Sequence, residues 1–310
     1  MERSIQRAVV TGAGGFIGSA LVQYLKGTAR EVVAVSRRPL PDLGCPAHVL
    51  DVTRQGVLDD LLDKHTVVFH LAAGGSVPRS VHSPRADFED GVCAWFEVLE
   101  SVRKADCQVI FPSTGSVFDP SSRSPLSETA YVRPTSPYAA GKATGEAYAA
   151  AYHRSYGLNV KVARMFSVYG IGMNRFVIYD LVQRLRNNPS ELSILGDGTQ
   201  VRDYLYIDDA VRGLVRIATH GEPGENYNLG SGIAVKVIDL ARKVAGLMGQ
   251  PDIPISPSGE PLPGEVLRWY ADISKIRKIG FAPEVSLEEG LARTVRWLAE
   301  MNLQRASVLS

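Results

Sequence analysis

The sequence predicts an α/β fold built on a doubly wound parallel sheet. Short β-branched runs alternate with helical patterns through the first half of the chain. One run, Thr66-Val67-Val68-Phe69-His70-Leu71, is nearly all apolar, as a parallel strand buried on both faces requires. A glycine-rich turn separates the first strand from the first helix, and open parallel sheets bind ligands at such turns.

In order, Ala8-Val9-Val10-Thr11 reads as the first strand. Apolar spacing over residues 16–25 predicts a helix, and residues 31–35 a second strand. A short third strand over 49–52 precedes a helix over 57–62 and the apolar strand over 66–71. Residues 88–105 read as one long helix, 108–113 as a fifth strand, 139–155 as an alanine-rich helix and 159–165 as a sixth strand. After Tyr169 the rhythm changes. A helix is expected over 175–187, with short strands over 192–195 and 203–207 and a helix start at Asp208-Asp209. Ser286-Leu287-Glu288-Glu289 is a capping box opening a last helix. The expectation is a nucleotide-binding domain over 1–170, joined by parts of 201–235, with a smaller, interlaced α/β substrate lobe mainly over 171–310.

Composition narrows the function. The 310 residues carry 34 Lys and Arg against 33 Asp and Glu, a net charge of +1. That balance argues against a nucleic-acid partner. No apolar run reaches the length of a membrane helix and the N-terminus leads straight into a strand, so a cytoplasmic protein is expected. Cys45, Cys93 and Cys107 lack CxxC spacing and fit a reducing compartment. No His, Cys or Asp cluster has metal-ligand spacing, and His70 reads as a packing residue.

Thr11-Gly12-Ala13-Gly14-Gly15-Phe16-Ile17-Gly18 places glycines at 12, 15 and 18. The first permits the tight turn, the second lets the backbone approach a pyrophosphate, and the third allows close helix–strand contact. Phosphates then meet the free N–H groups of a helix N-terminus. The second strand ends Val35-Ser36-Arg37-Arg38 with no carboxylate. A carboxylate there would take a ribose 2′-OH, whereas arginine accommodates a 2′-phosphate, so Ser36, Arg37 and Arg38 tilt the choice between NAD and NADP toward NADP.

Ser136-Pro137-Tyr138-Ala139-Ala140-Gly141-Lys142 offers a helix N-cap, a proline at the first position, and Tyr138 and Lys142 one turn apart. A tyrosine titrates near 10 and is a poor base at neutral pH; an adjacent ammonium lowers that value. Tyr138 can then exchange a proton with a sugar hydroxyl or ketone. Thr114 lies just past the fifth strand, placed to hydrogen-bond the reacting oxygen, with Ser113 and Ser116 as alternatives.

In this order, Thr11 to Gly18, Asp51-Val52, His70-Leu71-Ala72-Ala73, Ser113-Thr114 and Tyr138 to Lys142 resemble the extended short-chain dehydrogenases/reductases, more narrowly the nucleotide-sugar epimerase/dehydratase branch. The resemblance implies a Rossmann-type fold and a catalytic triad of Thr114, Tyr138 and Lys142. It also implies cofactor contacts from Gly12, Gly15, Phe16, Ile17, Gly18, Leu71, Ala72 and Ala73, further cofactor contacts from Tyr138 and Lys142, and adenine contacts from Asp51 and Val52. Ser167 falls where the family often has a substrate-binding asparagine. Leu195 to Tyr204 is similar to the clamp that sugar-nucleotide enzymes close on the substrate diphosphate, with Arg202 as its guanidinium. Asn228 to Gly232 and Ala271 to Lys275 are also typical of the branch. Gly196, Gly198, Gly230 and Gly232 are expected beside that second pyrophosphate.

Departures from the pattern sharpen the expectation. Gly115 and Ser116 follow Thr114 where 4,6-dehydratases usually carry acidic residues, which leaves two reactions: a nucleotide-diphosphate sugar 4-epimerase, the preferred reading, or an NADPH-dependent 4-ketosugar reductase. A non-catalytic dinucleotide sensor is a third class, against which both Tyr138 and Lys142 speak. Gly91 stands where relatives have asparagine. Leu262-Pro263-Gly264-Glu265 lacks an arginine, for which Arg268 is a substitute. The helices over 88–105 and 139–155 commonly form a four-helix homodimer interface in this family.

Overall fold

The computed structural model describes residues 5–73, 76–259 and 267–308, so Leu262-Pro263-Gly264-Glu265 lies outside the described residues. The chain opens with β1 (Ile5–Thr11), α1 (Phe16–Lys26), β2 (Ala29–Ser36), β3 (Ala47–Val49) and β4 (Thr66–His70). It continues through α2 (Val77–His82), α3 (Pro84–Phe88), α4 (Ala94–Ala105), β5 (Gln108–Thr114), α5 (Pro137–Tyr156) and β6 (Asn159–Met165). Then come β7 (Ser167–Tyr169), α6 (Val177–Asn187), β8 (Leu192–Ile194), β9 (Val201–Arg202), β10 (Tyr204–Tyr206), α7 (Ile207–His220) and β11 (Asn226–Leu229). The chain ends with β12 (Val235–Lys236), α8 (Val237–Leu247), β13 (Ile255–Pro257), β14 (Arg268–Trp269), α9 (Ser274–Lys278) and α10 (Leu287–Val308).

Seven parallel strands form the central sheet in the order β11-β6-β5-β4-β1-β2-β3. The winding reverses between β1 and β4, and the strand ends at that point open a crevice. Every residue of β4 is buried, which explains why the run contains no alternation. Two apolar cores cover the faces. One packs α1, α7 and the C-terminal helices; the other packs α4 and part of α5 around Trp95, Leu99 and Phe111. β11 comes from the second half of the chain yet completes the sheet beside β6. The remaining short strands pair as β10 with β7, β13 with β8, and β12 and β14 on either side of β9.

The structure corrects several expected elements. Residues 57–62 form no α-helix, only one 3₁₀ turn at Asp59–Leu61, with Leu62 extended. So short a segment cannot offset the cost of helix nucleation. The helix expected over 88–105 keeps helical backbone throughout, but its hydrogen bonding widens to a π-helical turn at Glu89–Cys93, containing Gly91, between α3 and α4. The last helix starts as expected, with Ser286 Oγ accepting from the Glu289 amide at 3.2 Å. The Glu289 carboxylate pairs with Arg293. Among the described residues no helix is long and apolar enough to cross a membrane. Among them too, no three His, Cys, Asp or Glu side chains gather around a metal position.

Candidate active site

At the end of β1, Gly12 adopts φ +71°, a conformation that L side chains resist, and a Cβ there would lie 2.5 Å from the Leu71 carbonyl carbon. The Gly15 amide returns to the Gly12 carbonyl at 2.9 Å, closing the turn. Helix α1 then begins with no side-chain cap and no acidic residue in its first turn. Its leading N–H groups are therefore unclaimed by side chains, which suits an anion. These observations fit a dinucleotide pyrophosphate.

Two adjoining cavities meet at this loop. The smaller, about 480 Å³, is lined by Gly12, Gly15, Ser36, Arg37, Arg38, Asp51, Val52, Leu71, Ala72 and Ala73. Asp51 accepts from the Thr53 amide and hydroxyl at 3.1 and 2.8 Å. Those bonds hold its carboxyl below the usual range, so it is a charged wall. The larger cavity, about 680 Å³, is lined by Gly12, Gly15, Phe16, Ile17, Gly18, Leu71, Ala73, Thr114, Ser116, Tyr138, Lys142, Ser167 and Arg202 among others.

Tyr138 and Lys142 share the opening turns of α5. Ser136 Oγ accepts from the Ala139 amide at 3.2 Å and Pro137 sits at the first position, which fixes where the helix starts. Lys142 is buried; its Nζ donates to the Pro112 carbonyl at 2.7 Å and lies 4.7 Å from the Phe111 ring centroid. Burial lowers its pKa to about 8, against the opposing charges of Asp87 and Glu146. Burial likewise pushes the Tyr138 phenol up to about 12, opposed by a hydrogen bond with Thr114. In the chain alone desolvation is the largest influence on the phenol, with the Thr114 hydrogen bond and the Arg175 charge pulling the other way. Thr114 closes β5 and caps a 3₁₀ turn, accepting from the Ser116 amide and donating to Ser116 Oγ, both at 3.2 Å. Ser113 donates to the buried Glu146 carboxylate at 2.6 Å, which also grips Arg164, so its hydroxyl is already spoken for. His70 bonds Thr11 at 3.0 Å and stacks 5.4 Å from Trp95. Burial holds its pKa down at about 3, so it is a neutral wall of the cavity.

The charged groups lining the larger cavity are mainly cations. Lys142, Arg175, Arg184 and Arg202 line it against one carboxylate among the described residues, Asp180. Arg175 and Arg184 carry no motif that separates them from surface charges; Arg175 precedes α6, Arg184 lies on it, and both line the same cavity as Arg202. Trp269, which no sequence motif marks, faces the cavity, while its neighbour Arg268 is exposed and lines neither cavity. A side chain begun at Gly115 would put its Cβ 2.4 Å from Trp269 Nε1, which is buried with no hydrogen-bond partner. Gly196, Gly198, Gly230 and Gly232 do not line the cavities either. They allow tight packing: a Cβ on Gly230 would meet the Asp203 carboxylate at 2.6 Å. Asp203 is fully buried and accepts from the amides of Ser231, Gly232 and Ala271, tying the two C-terminal motifs to the strand that carries Arg202.

Sheet order, glycine loop and the Tyr138–Lys142 pair define a short-chain dehydrogenase/reductase of the extended kind. Residues 8–230 match the NAD dependent epimerase/dehydratase family, and the chain belongs to it. It is 33% identical to a UDP-glucose 4-epimerase of Mycolicibacterium smegmatis, over 94% of this chain and 98% of that one. The UDP-N-acetylglucosamine 4-epimerase of Methanobrevibacter ruminantium, solved with UDP-N-acetylmuramic acid, superposes with a TM-score of 0.87 at 28% identity, covering 96% and 99% of the two chains. DesIV, a dTDP-glucose 4,6-dehydratase of Streptomyces venezuelae solved with NAD, superposes at 0.86 and 30%, covering 95% and 97%. The chain is accordingly an enzyme whose cofactor is a nicotinamide dinucleotide.

Proposed function

We propose that the enzyme inverts the C4 hydroxyl of a nucleotide-diphosphate sugar. The observation that carries this reading is the loop after Thr114. Gly115 and Ser116 supply no carboxylate to expel water, and the Trp269 indole fills the space that an acidic side chain at 115 would need. Similarity to both epimerases and dehydratases supports the sugar-nucleotide class.

In this reading Gly12, Gly15, Phe16, Ile17 and Gly18 hold the dinucleotide pyrophosphate, Asp51 and Val52 the adenine, and Leu71, Ala72 and Ala73 the length of the cofactor. When bound, the dinucleotide supplies the hydride acceptor and donor and the positive charge of its oxidised ring. A positive charge beside Tyr138 opposes the desolvation that holds its proton. Tyr138 Oη takes the C4 hydroxyl proton as C4 is oxidised, and returns it as the ketone is reduced on its other face. Thr114 and Ser116 hydrogen-bond the oxygen at C4. Arg202, aided by Arg175 and Arg184, keeps the diphosphate anchored while the keto sugar turns. Ser167 takes a sugar hydroxyl. Phe88, Phe96, Tyr148 and Tyr156 leave an apolar face exposed on the helices beside the cofactor, which supports pairing with a second copy.

Arg38, exposed at the adenosine cavity, favours the NADPH-dependent ketosugar reductase as the second reading. Incubation with UDP-, dTDP-, GDP- and CDP-sugars and no added cofactor separates the two. C4 epimers detected by NMR are expected. A strict need for NADPH and a keto sugar would overturn the epimerase reading in favour of the reductase.

A further inference from the structure

We propose that Asp90 gives this enzyme a preference for NAD over NADP, by supplying the carboxylate that the end of β2 lacks and by occupying the arginine that a 2′-phosphate would need. The inference rests on the reading that residues 12–18 hold a dinucleotide.

β2 ends at Ser36 and is followed by Arg37 and Arg38, a pattern suited to a 2′-phosphate. The fold changes the meaning of that pattern. Asp90, far along the chain in the π-helical turn at Glu89–Cys93, lines the same 480 Å³ cavity as Ser36, Arg37 and Asp51. One of its carboxylate oxygens accepts from Arg37 Nη1 at 2.7 Å and the other from Arg79 Nη2 at 2.9 Å. Its side chain is 16% exposed, whereas those of Arg37 and Arg79 are 57% and 49% exposed. The carboxylate is thus the fixed, inner member of the trio, and the two guanidiniums reach to it. Its hydrogen bond and charge hold the Arg37 guanidinium above its ordinary pKa.

Electrostatics then separates the two dinucleotides. A ribose 2′-OH can donate to a carboxylate already in the wall. A 2′-phosphate must instead take Arg37 from a charge-assisted bond and lie beside the Asp90 carboxylate, with Asp51 adding a second negative charge in the same cavity. The π-helical turn places Asp90 in this wall, and such turns recur at functional sites in other helices.

The test is a binding titration of NADH and NADPH, followed by fluorescence, on wild type, Asp90→Asn and Arg37→Gln, with bound nucleotide removed and identified first. Wild type is expected to release NAD and to bind NADH the more tightly. Asp90→Asn should shift the NADPH-to-NADH affinity ratio toward NADPH by about tenfold, or about 1.4 kcal/mol. Arg37→Gln should shift it the opposite way, because the carboxylate stays and one of its two counter-charges is lost. A wild type that binds NADPH at least as tightly, or an Asp90→Asn ratio within about twofold of wild type, overturns the proposal. If wild type binds neither dinucleotide, the underlying reading of residues 12–18 falls with it.

Discussion

Tyr138 and Lys142 are displaced by burial in opposite directions, the phenol up to about 12 and the ammonium down to about 8. At neutral pH both therefore hold their protons in the chain alone, and further positive charge next to the phenol would favour its ionised form. Tyr138→Phe removes the proton carrier and leaves the ring. It is expected to lower kcat by about 10²- to 10⁴-fold. Dinucleotide affinity and the thermal midpoint should stay near wild type; turnover within a few-fold of wild type would remove Tyr138 from the chemistry. The residues readable from sequence are those whose partners are local: Tyr138 with Lys142 through the helical repeat, Gly12 with Gly15 and Gly18 through the turn. Trp269, Arg175, Arg184 and Asp90 could not be read, because each acquires its meaning from a contact across the fold. Arg37 likewise has a partner, Asp90, that lies far from it in the sequence.

At the scale of elements, strands that are buried on both faces announce themselves as apolar runs, and β1, β2, β4, β5 and β6 were legible for that reason. β11 was not, because Asn228 sits in its middle. The structure accommodates that polar residue by bonding its amide nitrogen to the Leu126 and Asp272 carbonyls at 2.7 and 3.2 Å. α8 was overlooked although Leu240, Ala241, Val244 and Ala245 give it a buried stripe. The start of α7 was legible from Asp208-Asp209, yet one of the pair does more than favour the helix dipole. Asp209 is buried and accepts from the Glu284 and Val285 amides at 3.0 to 3.1 Å while pairing with Arg212, so it ties the segment before α10 to α7. Asp209→Ala strands those amides, and each unsatisfied buried donor costs about 1–3 kcal/mol. A loss of about 2–4 kcal/mol in urea unfolding is expected; a loss under about 0.5 kcal/mol would show that Asp209 is dispensable as a tie.

For the whole molecule, a net charge of +1 conceals a strongly uneven distribution. Three arginines and a lysine face one carboxylate around the larger cavity, while the adenosine cavity carries Asp51 and Asp90 beside its arginines. Interlacing makes this possible. β11 returns to the sheet and Asp203 binds the two C-terminal motifs to the strand of Arg202. In the proposed reaction Arg202 anchors the diphosphate while oxidation and reduction take place at the same carbon. The most direct measurement follows deuterium placed at C4 of whichever nucleotide sugar is turned over. Deuterium retained at C4 of the inverted product, with none passing to the bulk cofactor, is expected. Deuterium at C6 of a dehydrated product, or its appearance in exchangeable dinucleotide, would contradict C4 epimerisation.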